Sequence, residues 1–136
     1  MSERQRSELE QSACSALGLE RGLIIRQPHI GKILDGIKTW EMRSKPTNVR
    51  GMIALIEAGT GMIVGEAELT DCLEPFEGVE DAMAYQCYHQ VDDLGCLKKW
   101  RYPWKLEGAV RYETPIPYKH PTGAVIWVSL QNRAVS

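Results

Sequence analysis

Short apolar runs separated by turn residues dominate this chain, and most of them are too short and too β-branched to be helices. Leu23-Ile24-Ile25, bounded by polar residues, predicts a buried first strand over residues 22–26. Pro28 suits the first turn of a helix. Ile30, Ile33 and Leu34 follow at i, i+3 and i+4 as one apolar stripe. Gly36 ends that pattern, as a glycine just past a helix end does. Residues 39–43 then alternate, with Thr39, Glu41 and Arg43 on one face and Trp40 and Met42 on the other. An apolar strand over 51–58, a Gly59-Thr60-Gly61 hairpin and a second strand over 62–69 come next. Gly65 inside that second strand marks a bulge or a close backbone approach.

In the second half, residues 79–91 read as one helix. Ala84, Cys87, Tyr88 and Val91 form its apolar face, and Glu80 and Asp81 favour its first turn. Residues 106–114 predict a strand. Residues 115–121 are a stiff connection set by Pro115, Pro117 and Pro121, which excludes a central strand there. A final strand is expected over 124–130, with Trp127 structural. Leu9, Ala13, Ala16 and Leu17 lie at roughly helical spacing, so residues 1–20 form an arm or a short helix, and 131–136 form a tail. The domain proper spans 21–130. Its order of elements gives an α+β class dominated by a curved sheet.

At 136 residues the chain is long enough for one well-buried core. No run approaches the length of a membrane-spanning helix, and the first residues are polar and charged. A cytoplasmic protein with no membrane partner is the expectation. Cys14, Cys72, Cys87 and Cys96 show no paired or metal-finger spacing. Cys87 and His89 lack a second pair of ligands, so neither a metal nor a cofactor is expected.

Charge changes the picture. The net charge is −2, yet residues 21–50 hold seven basic and two acidic side chains, residues 57–93 hold ten acidic and no Lys or Arg, and residues 98–119 hold six basic and two acidic. Two basic segments lying together would draw a polyanion. The bland alternative is that basic and acidic segments pair as a solvated surface. Lys98 to Lys105 interleaves four cations with Trp100, Tyr102 and Trp104, the mixture that single-stranded nucleic acid needs for phosphates and stacked bases. Equally, both tryptophans can pack inward.

The chain carries no phosphate-binding glycine loop, nucleophile elbow or zinc-protease motif. The remaining chemistry is Lys38, Glu41 and Arg43, with Arg26, Gln27 and Thr39 close in sequence. One reading is a plain ion pair. The other is a cleft in which the cations bind phosphate or a base edge and Glu41 orients them or accepts from an exocyclic amine. The helix start beside Arg26, Gln27 and His29 also offers backbone N–H groups to an anion. His29 itself reads as a surface or capping side chain.

Gly36-x-Lys38-x-x-Glu41-x-Arg43 resembles the GxKxxExR signature of ASCH domains, small β-barrels of the PUA-like superfamily. Ile25-Arg26-Gln27-Pro28, the strand from Gly51 and the Gly123-to-Val128 segment extend the resemblance over roughly residues 21–130. It implies a PUA-like curved β-barrel with short flanking helices. It also implies an RNA- or modified-nucleoside-binding cleft, with Gly36 at its rim and Lys38, Glu41 and Arg43 lining it. Trp100 or Trp104 would stack. Some small bacterial members are amidohydrolases acting on N4-acetylcytidine, in which the signature lysine works with a threonine and a glutamate from the later helix. Here Lys38 matches, Glu41 stands at the threonine position, and residues 84–91 contain no glutamate. A hydrolase using Lys38 and Glu41, on a modified base or on single-stranded RNA, is the alternative. A protein partner is the third reading.

Overall fold

The longer β-branched apolar runs become strands of one sheet. The computed structural model describes residues 18–130. The expected helix around Leu9 to Leu17 and the 131–136 tail lie outside them. The strands are β1 (Arg21–Ile25), β2 (Trp40–Arg43), β3 (Gly51–Glu57), β4 (Met62–Cys72), β5 (Tyr102–Pro117) and β6 (Trp127–Ser129). They hydrogen-bond in the order β2-β5-β4-β3-β1-β6. β1 runs parallel to β3, and the other pairs are antiparallel. The sheet curls into a half-barrel, flanked by helices α1 (His29–Leu34), α2 (Val79–Ala84) and α3 (Gln86–His89) and a 3₁₀ turn (Leu94–Lys98). This is the α+β architecture that the order of elements implies.

The α1 stripe explains why the sheet curls. Ile30, Ile33 and Leu34 are buried against Leu23, Ile25, Leu55, Ala67 and Leu106, so the helix plugs the concave side. Each such side chain contributes about 1.5–3 kcal/mol on burial. Gly36 comes after α1 with φ +79° and donates its N–H to the carbonyl of Ile33, the left-handed stop that its position predicts. Gly65 is a close approach: a Cβ there would lie 2.3 Å from the Val110 oxygen and 2.5 Å from Leu34 Cδ2. The ladders on both sides of Gly65 shift register beside it, so α1 can seat directly on backbone.

Three expectations need correction. Residues 79–91 are two short helices, broken at Tyr85, whose φ −109° and ψ 21° leave the helical region. Ala84, Cys87 and Tyr88 are exposed, and Ala82, His89 and Val91 are buried instead. The break lets Tyr85 and Tyr88 swing onto the Trp40 ring, with centroids 5.1 and 4.7 Å away. The prolines do not end β5, which continues through Pro115 to Pro117. β2 pairs with β5 only over Tyr102–Lys105, so further on β5 has β4 on one side and, among the described residues, no strand on the other, where a missing N–H costs no ladder bond. β6 is shorter than the expected 124–130 strand, although Ile126 and Leu130 still bond to Ile24 and Glu20.

Candidate functional site

The alternation of β2 sends Glu41 and Arg43 to one side and Trp40 and Met42 to the other. Trp40 and Met42 join Phe76, Ala82, Val91 and Leu97 in a second apolar cluster. Glu41 and Arg43 stand in the wall of a cleft of about 570 Å³. The segment from β1 to α1 brings Arg26, Gln27 and His29 to it. The 3₁₀ turn and the residues just after it bring Cys96, Leu97 and Trp100, and the β5–β6 connection brings His120, Ala124 and Val125.

A chain of charged contacts runs back from this wall into the protein. Arg43 donates to Glu41 Oε2 at 2.9 Å and to the Ile24 carbonyl at 2.6 Å. Its guanidinium also lies 5.7 Å from the Trp104 ring centroid. Glu41 is buried, and its Oε1 is 3.9 Å from the Lys38 ammonium. Lys38 is 1 % exposed, and its ammonium donates to the His89 carbonyl. Burial holds the Lys38 pKa down to about 8, with Glu41 opposing that fall and Lys32 and Arg43 adding to it.

His89 turns out to be structural. Its Nδ1 accepts from the Val91 N–H at 2.9 Å, so its Nε2 carries the proton and donates to the Ala82 carbonyl at 2.6 Å. With no exposed surface it is held neutral by burial, its pKa lowered. Lys38 and His89 together pin α3 behind β2.

The structure therefore divides the candidate residues. Arg26, Gln27, Glu41, Arg43 and Trp100 line the cleft. Lys38 sits behind Glu41 and does not. Gly36 is exposed beyond the helix end, and Thr39 spends its backbone groups on Tyr88 and Leu106. Trp104 belongs to the core: it is 3 % exposed, stacks on Trp127 at 5.7 Å and donates to the Lys45 carbonyl. Trp100 is 39 % exposed, with the Lys99 ammonium 5.7 Å from its ring centroid. Three of the first four α1 amides are already used, since Arg26 and Pro28 carbonyls and the Gln27 side chain accept from Ile30, Lys32 and Gly31. The start of α1 therefore has few amides left for an anion.

His29 also reaches the cleft, which its position after Pro28 does not announce. It lines the cleft, and its Nδ1 is buried with no hydrogen-bond partner among the described residues. Burial, then Lys38, lowers its pKa. Cys96 reaches the cleft from the 3₁₀ turn and His120 and Val125 from the β5–β6 connection, and no sequence signal marks them. Among the described residues no cluster of His, Cys, Asp or Glu is placed to hold a metal, and no helix is long and apolar enough to cross a membrane.

The family model for the ASCH domain matches residues 23–119. A solved structure titled as the crystal structure of ASCH from Zymomonas mobilis superposes with a TM-score of 0.53 at 15% identity, over 71% of this chain and 70% of that one. No curated protein matches the chain significantly. The chain belongs to the ASCH domain family, and the half-barrel is a PUA-like fold.

Proposed function

We propose that this domain binds single-stranded RNA or a modified nucleoside, with one base held in the Glu41–Arg43 cleft. The observation that carries the reading is the unpartnered Nδ1 of His29 in a wall that already presents a carboxylate and a guanidinium. A buried polar atom without a partner costs free energy, and a polar edge of a bound base would satisfy it. Glu41 keeps free lone pairs beyond its two cationic neighbours, so it can accept from an exocyclic amine. Trp100 offers ring surface at the rim, where bases stack. Arg26 is exposed beside it for a phosphate. β2 and the start of β5 are neighbours, so parts of the two basic segments adjoin here, while Lys32, Arg50, Lys105 and Arg111 pair with Asp92, Asp71, Glu107 and Asp35. Titration of a labelled single-stranded RNA, and separately of free nucleosides, tests the proposal. Binding that weakens in Glu41→Gln and Trp100→Ala supports it, and unchanged affinity in both variants overturns it.

The hydrolytic reading rests on one observation, a lysine held down to about 8 and 3.9 Å from Glu41. In this arrangement the ammonium points to the His89 carbonyl rather than into the cleft. Product release from an N4-acylated cytidine that is lost in Lys38→Met would favour it. Turnover that persists in that variant rules out Lys38 as the base.

A further inference from the structure

Ion pairing divides the cations of this chain into two sets. Arg21, Lys32, Arg50, Lys105 and Arg111 pair with surface carboxylates, and Lys38 and Arg43 share Glu41. Arg26, Lys45, Lys98, Lys99, Arg101 and Lys119 are exposed and have no carboxylate partner among the described residues. This second set is not scattered. Arg26 lines the Glu41–Arg43 cleft, and each of the other five lies within two residues of a side chain that does: Lys45 of Arg43, Lys98 of Leu97, Lys99 and Arg101 of Trp100, and Lys119 of His120. Of the paired set, only Arg43 stands that near in sequence. The acidic side chains beside the cleft are occupied: Glu57 accepts from Gln27, Asp92 lies 3.9 Å from Lys32, and Asp93 accepts from the Gly95 amide.

The unpaired cations form two groups. Arg43 pairs with Tyr102 across β2 and β5, so Lys45 and residues 98–101 run on past that end of the ladder together. Leu23 pairs with Trp127 across β1 and β6, so Arg26 runs on toward Ala124, whose carbonyl bonds to His120 beside Lys119. These two ladders stand at opposite ends of the strand order. The curl of the sheet brings them face to face, where Arg43 donates to the Ile24 carbonyl at 2.6 Å. The cleft is a seam with unpaired cations on both lips, a local positive field that the net charge of −2 hides. Resting on the base-binding reading, we infer that its ligand is an internal nucleotide of a single RNA strand, with flanking phosphates held by Lys98, Lys99 and Arg101 on one lip and by Arg26 and Lys119 on the other. A free nucleoside has no phosphate and engages neither lip, and a chain end engages one. Phosphate contacts position a strand without reading its sequence, so the lips supply affinity and the cleft selects the base.

The test is fluorescence anisotropy of the whole chain with a labelled mixed-sequence heptaribonucleotide, competed by nucleosides and by unlabelled RNAs of one, three and five nucleotides. The expected affinity rises at least about tenfold from nucleoside to pentanucleotide, and log K falls with log salt at a slope of about −2 or steeper, the counterions of about three phosphates. Lys98→Ala/Lys99→Ala and Lys119→Ala, one on each lip, should each make that slope shallower by about 0.7 or more. Arg111→Ala, which removes a paired cation, leaves it unchanged. A nucleoside that competes as well as the pentanucleotide, or a slope unmoved by both lip variants, overturns the inference and leaves the base-binding reading standing. An effect of one lip alone overturns the internal position of the nucleotide. A polyglutamate peptide that competes as well as the RNA overturns RNA as the occupant. No binding of RNA or nucleoside overturns both the inference and the reading beneath it.

Discussion

Arg43 donates to Glu41 at 2.9 Å, and the two side chains leave β2 on the same face, two residues apart. That contact turns the alternation of one short strand into a cleft wall. It fixes the carboxylate between a partly exposed guanidinium and a buried ammonium. Removing the carboxylate charge should reach Lys38, because Glu41 is what opposes the fall of its pKa. Glu41→Gln is expected to take the Lys38 pKa below about 8, read from the pH dependence of its side-chain ¹³C or ¹⁵N shift. An unchanged or raised value contradicts the coupling.

Lys38 also sets a pH dependence of stability. Its pKa in the folded state, about 8, lies below the ordinary value of 10.5. Between those two values the unfolded chain holds a proton that the folded chain has lost. Stability attributable to this residue therefore rises as pH increases through that window, the reverse of a lysine whose pKa is raised by a partner. The effect is at most about 3 kcal/mol. Urea denaturation of wild type against Lys38→Met should show a stability difference that moves in favour of wild type between pH 8 and 10.5. A flat difference contradicts the burial of a charged amine.

The two tryptophans of the cation-rich segment should separate cleanly. Trp104→Ala removes a buried ring that stacks on Trp127 and is expected to cost about 3–5 kcal/mol of stability by denaturant titration. Trp100→Ala is expected to leave stability within about 0.5 kcal/mol. It should instead weaken RNA binding by about 1–3 kcal/mol. Similar stability losses in both variants would show that Trp100 is packed rather than available.

Gly65→Ala tests the way α1 is seated. Its new methyl would meet the Val110 oxygen at 2.3 Å, and a backbone atom cannot swing aside as a side chain can. The expected loss is about 1–3 kcal/mol in a urea titration. A neutral substitution contradicts the close approach of the β5 backbone and of Leu34 on α1 to this glycine.

The range of each signal decides whether a feature is legible in the sequence. The strand face of Glu41 and Arg43, the stop at Gly36 and the tight spot at Gly65 are local, and period-two alternation or a lone glycine announces them. The depth of Lys38 is not legible. Its burial depends on the His89 carbonyl, fifty-one residues further on, arriving behind β2. The break at Tyr85 is hidden for the same reason, since the Trp40 ring that holds Tyr85 and Tyr88 is on a distant strand. Composition treats Trp100 and Trp104 alike, and only the pairing of β5 with β2 and β4 places one in the core. His29 reads as a cap because its neighbour Pro28 opens a helix. Its orphaned nitrogen emerges only once the cleft is assembled.

The central claim is that the Glu41–Arg43 cleft takes a base. Fluorescence anisotropy of a short labelled single-stranded RNA, with wild type and Glu41→Gln at two salt concentrations, tests it most directly. The account predicts saturable binding that weakens with salt and falls about tenfold when the carboxylate is neutralised. Free nucleosides as competitors then tell a polymer from a single base. No binding of either RNA or nucleoside, or binding indifferent to Glu41→Gln, would contradict it.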